Sequence, residues 1–171
     1  MLPWQRAQGE TSVAAAMDRD LIDVSVDRLH QLYREQRYTV TQVTRWYLDR
    51  IARYDGTYRS LLYVDAKGAL ARAAEEDASP VKHGAMWGVP IVVKANTSVN
   101  GWITNAGWKG YMLPGKELVA PRDALVVERL RAAGAILLGQ TNMPDFAASD
   151  TNISTAGGRT GDAYDVRFSP G

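Results

Sequence analysis

The chain has 171 residues, 46% hydrophobic and 23% charged, an ordinary globular balance with enough length for one domain and a core. Its 20 basic and 19 acidic residues leave a formal charge of +1, so no chain-wide field selects nucleic acid or an anionic membrane as partner. The absence of cysteine excludes disulfides, zinc-thiolate sites, iron–sulfur clusters and a cysteine nucleophile.

The opening stretch, MLPWQRAQGETSVAAAMDRD, carries no apolar segment of the length a secretory signal needs, and no later run is long enough to span a bilayer. A soluble, cytoplasmic chain is the default expectation, with residues 1–22 read as an N-terminal extension and 23–171 as the folded part. From Val24 to Gly56 the pattern predicts two helices. In the second, Val40, Val43, Tyr47, Ile51 and Tyr54 recur at helical spacing, Thr39 and Gln42 make a capping-box start, and Asp55-Gly56 is expected to stop it. SLLYVD is a short apolar segment, and Asp65 then caps an alanine-rich helix.

Lys82 to Trp87 reads as a loop leading into GVPIVVK, where Val89, Ile91, Val92 and Val93 form a run expected of a buried strand, with Lys94 at its end. A long loop follows from Gly101 to Pro121, with Trp102, Trp108, Tyr111 and Met112 spread along it. Asp123 is expected to cap a helix that ends at Gly134, and AILLG is a further apolar strand. Helix followed by buried strand, repeated, is the rhythm of an α/β domain over a largely parallel sheet. Beyond Gln140 the text turns polar, small and glycine-rich, and a long loop of that kind in a compact domain marks function.

Few chemistries fit these residues. His30 and His83 are the two histidines, and without a G-x-S-x-G elbow they support no Ser-His-Asp triad and no metal site. GGRTG lacks the lysine of a phosphate-binding loop and reads as a turn cluster. Asp145, Asp150, Asp162 and Asp165 sit where turns and caps call for aspartate. Lys94 remains. Burial disfavours a charged ammonium, and a neutral lysine is a competent general base that can activate serine without histidine. Taken alone, a lysine leaving a strand is also explained as a solvated strand end.

GVPIVVK, followed after a helix by GAILLGQTNMPDF, resembles the amidase signature family. Gly134 to Gly139, Thr141, Asn142, Met143, Phe146, Thr151, Asn152 and Gly158 fall in the family's order, and TNAG, Thr104 to Gly107, is similar to its threonine-alanine-glycine segment. Asp162-Ala163 stands where the family usually has Asn-Pro, and Ala95 where it commonly has aspartate. The resemblance covers roughly residues 23–171. It implies an α/β/α sandwich with a mixed, largely parallel central sheet, and amide hydrolysis by a Ser-Ser-Lys triad without a cofactor.

By this carry-over Lys94 is the catalytic base, and Thr104, Asn105, Ala106, Gly107, Thr151 and Asn152 are expected to line the substrate site. The family's serine-containing core would follow Gly171. Ser98, Ser149, Ser154 and Ser169 fall at neither serine position and read as caps and turns. The expectation is an N-terminal part of an amidase that carries the base but not the serines. Its expected partner is a small-molecule amide, with no nucleic acid or membrane; an oligomer or partner chain covering an open sheet edge is a further expectation. The alternatives are a non-catalytic binding module and a subunit of a tRNA-amidating enzyme.

Overall fold

The computed structural model describes residues 14–81 and 84–170. His83, Lys82 and the start of the expected N-terminal extension lie outside the described residues. Among the described residues, five α-helices and five strands follow in chain order: α1 (residues 14–21), α2 (Val26–Arg34), α3 (Val40–Tyr58), β1 (Leu61–Val64), α4 (Ala66–Ala78), β2 (Pro90–Lys94), α5 (Leu125–Ala132), β3 (Ile136–Thr141), β4 (Ile153–Ser154) and β5 (Gly158–Arg159).

The helix starts follow the sequence closely. Ser25 accepts from the Arg28 amide, Asp65 from Gly68, and Thr39 and Gln42 form the expected reciprocal box. The Asp77 carboxylate at the end of α4 adds a second cap to α3, accepting from Val40 N at 2.8 Å and Thr41 N at 3.0 Å. An anion at that helix start also meets the positive end of its dipole.

Two expected boundaries are corrected. Gly56 does not stop α3, which runs on to Tyr58 and ends where Arg59 turns left-handed at φ 53°. Asp55, one turn back, fastens the chain as it leaves the helix: its carboxylate accepts from Ser60 N at 2.8 Å and Leu61 N at 3.2 Å. Asp123 does not cap α5. The N-cap is Ala124, fastened by its amide to Ser98 O at 2.8 Å, while Asp123 accepts from Asn100 N at 2.7 Å and Arg131 Nε at 2.9 Å.

The main sheet has the order β1-β3-β2, with β2 parallel and β1 antiparallel to the central β3. Because both faces of β3 are covered, its Ile136 and Leu138 point into one core and Leu137 into the other. The first core packs Met17, Leu21, Leu32, Val40, Val43 and Ala73 from α1 to α4 against the sheet. The second packs Val127 of α5 with Val93, Val99 and Leu137. Helices thus lie on both faces of a mixed sheet, the expected α/β/α layering. The early helix belongs to the core through Met17 and Leu21, and Trp46 Nε1 donates to its Asp18 at 2.8 Å.

The expectation of a buried β2 is corrected: among the described residues β2 lies at the edge of the sheet, Val92 is 40% exposed, and Lys94 is exposed. An apolar run alone does not distinguish a central strand from an edge strand with one covered face.

Two stability predictions arise in the helical layer. Thr44 Oγ1 on α3 is fully buried with no hydrogen-bond partner, so Thr44→Val, which keeps the shape and removes the polar atom, should stabilise by about 1 kcal/mol and raise the melting temperature by a few degrees. Asp20 accepts from Tyr38 OH and Arg37 Nε, both at 2.7 Å, and the tyrosine bond above all holds its carboxyl below the ordinary value of 3.8. A depressed carboxylate stabilises the fold above its unfolded pKa and loses that contribution as pH falls through the folded one. Asp20→Asn should therefore melt earlier than wild type at pH 7, with the two curves converging below pH of about 3.

Candidate active site

The parallel pair β2 and β3 ends with Lys94 opposite Thr141. Everything proposed for the site hangs from this C-terminal edge, the place where open α/β sheets hold ligands. After Lys94 the chain turns at once, Thr97 N donating to Lys94 O at 2.8 Å. Ala95 is fully buried: its amide donates to Thr141 O at 3.2 Å and its carbonyl accepts from Ala106 N at 3.1 Å. Gln140, 1% exposed, braces the same turn by donating from Nε2 to Thr97 O at 3.1 Å.

The segment Thr104 to Gly107 lies beside that turn. Thr104 Oγ1 reaches Ser98 Oγ at 3.4 Å, and the buried Asn105 accepts from Gly107 N at 2.7 Å, spending its carbonyl oxygen on its own loop. Ala106 and Gly107 are both left-handed, at φ 51° and 80°. At Gly107 a Cβ would stand 2.3 Å from Met143 O, so close backbone passage as well as dihedral angle demands glycine.

Asn142, just past β3, holds the rest together. Its Nδ2 donates to Arg59 O, Gly158 O and Thr160 Oγ1 at 3.2, 3.1 and 3.1 Å, and its Oδ1 accepts from Met143 N at 2.9 Å and Ser154 Oγ at 2.7 Å. One buried amide therefore joins α3, β3 and the β4–β5 hairpin. The hairpin in turn donates from Ala156 N to Gly107 O at 3.0 Å.

Lys94 and the Thr104–Gly107 segment are thus brought together, one residue and one hydrogen bond apart. Thr151 and Asn152 stand at the entry to the hairpin, where exposed Thr151 bonds Ser149 Oγ at 2.7 Å and Asn152, at φ 54°, accepts from Thr160 N at 3.0 Å. The serines serve turns: Ser149 accepts from Thr151 N and Ser154 from Gly157 N. The aspartates do likewise, Asp145 accepting from Thr155 N and Asp162 from Tyr164 N. His30 bonds Trp87 O at 2.9 Å, a satisfied structural residue. No group of acidic or histidine side chains able to hold a metal occurs among the described residues.

Two features of this edge were not assembled from the sequence. Asn142 lies within the matched motif, and a short amide directly after an apolar strand is the trace its bridging role leaves in the text. Trp108, Tyr111 and Phe146 form one cluster, with ring centroids 4.9 Å apart for Trp108–Tyr111 and 5.6 Å for Trp108–Phe146. Their separation along the chain hides it.

A mixed sheet with helices on both faces, and with a lysine and glycine-bearing loops at the C-terminal edge of its parallel strands, defines an α/β protein. Residues 42–171 match the family model Amidase, and the chain belongs to that family. It is 36% identical over 155 residues to a glutamyl-tRNA(Gln) amidotransferase subunit of Acidothermus cellulolyticus, covering 89% of this chain and 30% of that protein. Among solved structures it resembles the native peptide amidase of Stenotrophomonas maltophilia, with a TM-score of 0.74, 31% identity and coverage of 84% of this chain and 31% of that one. An amidase family protein from Bacillus anthracis superposes with a TM-score of 0.78 at 25% identity, covering 91% of this chain and 32% of that one. The chain thus spans about 30% of the length of the relatives it matches.

Proposed function

We propose that this chain carries the lysine base of a Ser-Ser-Lys amidase that hydrolyses the C–N bond of a small carboxylic amide, with both serines contributed from outside these 171 residues. The observation that supports it best is the position of Lys94, last residue of the parallel β2, with its side chain open to the edge where the Thr104–Gly107 loop is fastened. In this mechanism the lysine takes a proton from a relay serine, the relay takes one from the nucleophile, and the nucleophile attacks the amide carbonyl. The proton returns from the lysine through the relay serine to the amide nitrogen, the C–N bond breaks and ammonia or an amine leaves; water then releases the acyl group from the nucleophile, and no cofactor takes part.

Physical chemistry adds a requirement. A lysine serves as base only where its ammonium form is disfavoured, and the described residues leave Lys94 exposed. The mechanism therefore needs a covering segment or partner over this edge. That same requirement accommodates a multi-chain assembly. Steady-state ammonia release by the full-length gene product from a panel of aliphatic and aryl amides tests the proposal: release from at least one is expected, and inertness toward all of them overturns it.

A second reading, favoured by the relatives named as glutamyl-tRNA(Gln) amidotransferase subunits, has ammonia passed on to an acylated tRNA. The formal charge of +1 lends no support to tRNA contact by this chain itself. Glutamine-dependent amidation of glutamyl-tRNA, measured with and without added partner proteins, separates the two.

A further inference from the structure

We propose that Trp108, Tyr111 and Phe146 are the platform that receives the apolar, planar substituent of the amide substrate, so that the site prefers aryl-bearing amides. The inference rests on the assignment of Lys94 as the base. Its own evidence is a cluster that is costly to present. Trp108 is 39% and Phe146 55% exposed, yet the rings are ordered against one another, Trp108 edge-on to Tyr111 at 85° and Tyr111 edge-on to Phe146 at 88°.

The backbone beneath is strained. Phe146 and Ala147 are consecutive left-handed residues at φ 56° and 59°, a conformation that side chains disfavour and that persists where the surroundings enforce it. Here the enforcement is explicit. Asp145 accepts from both Thr155 N and Thr155 Oγ1 at 2.8 Å, and the same Thr155 Oγ1 accepts from Lys109 N at 2.9 Å, so one threonine clamps the Trp108 segment to the Phe146 segment. Gly110 completes the arrangement, since a Cβ there would lie 2.3 Å from the Trp108 ring, which therefore rests on bare backbone.

The platform is also continuous with the edge that bears Lys94. Ala106 donates to Ala95 O, next to Lys94, and accepts from Phe146 N at 2.8 Å, so the rings and the lysine are fastened to one residue. Aromatic rings beside a polar edge suit a neutral aryl group joined to an amide.

The test is the ratio of kcat/KM for 3-phenylpropanamide to that for propanamide, measured on the full-length protein. Trp108→Ala and Phe146→Ala should each lower the ratio by about tenfold, with Trp108→Phe retaining most of it. Gly110→Ala, which displaces the ring without deleting it, should lower the ratio by roughly threefold or more. An unchanged ratio accompanied by a lower melting temperature in Trp108→Ala overturns the inference and makes the cluster a packing surface for another protein segment. If the wild type hydrolyses neither amide, the function assigned above fails by itself, and the indole N–H resonance lost in Trp108→Phe decides the platform: a shift with 3-phenylpropanamide and not with propanamide supports it, and no shift with either overturns it.

Discussion

Lys94→Ala in the full-length protein should lower kcat/KM toward amides by roughly 10³-fold or more, the loss expected when a positioned general base is removed. The cooperative unfolding transition should persist, because the structural bonds of Lys94 within this chain are made by its backbone, to Thr97 and across to β3. Lys94→Arg should be equally inactive. It keeps the charge and the reach but cannot give up its proton in a protein. Hydrolysis that survives either substitution would place the base elsewhere. Hydrolysis lost together with the cooperative unfolding transition would make Lys94 a structural residue instead.

Asn142→Ala should cost about 3 kcal/mol or more and lower the melting temperature by several degrees, since it strands the buried Met143 amide and Ser154 hydroxyl along with the acceptors around Nδ2. Asn142→Asp makes the sharper test. It preserves shape and the two acceptor bonds, but turns a second oxygen toward Arg59 O, Gly158 O and Thr160 Oγ1. The aspartate variant should be at least as unstable as the alanine variant at pH 7 and should recover as pH falls through the carboxyl range, because the protonated acid again donates one bond. Thermal melts of the three proteins between pH 4 and 8 read this directly. Equal stability of Asn142→Asp and wild type at pH 7 would dismiss the amide as the joint of the site.

Much of the fold was legible because it is written in local rules. Thr39 with Gln42, and Asp65 before an alanine-rich run, are contacts between residues three apart, and they formed as expected. Lys94 at a strand end beside Thr104 to Gly107 was legible through motif order. What the sequence hid was set by distant partners. Val92 reads like Leu137, and only the strand order β1-β3-β2 makes one an edge residue and the other core. Asp123 reads as a cap until Asn100 and Arg131 compete for its carboxylate. The Asn142 bridges and the aromatic cluster join segments whose meeting depends on the whole topology, so no short window contains them.

The central place of β3 also sets how the molecule opens. Leu61 and Lys94 both pair with Thr141, so the sheet cannot release either edge strand's terminus without disturbing the same peptide unit. Amide exchange in the middle of β3 should follow only global unfolding, while the outward amides of β2 exchange by local fraying. The first residues that leave β3, the buried Asn142 and Met143, should share the slow exchange of the strand.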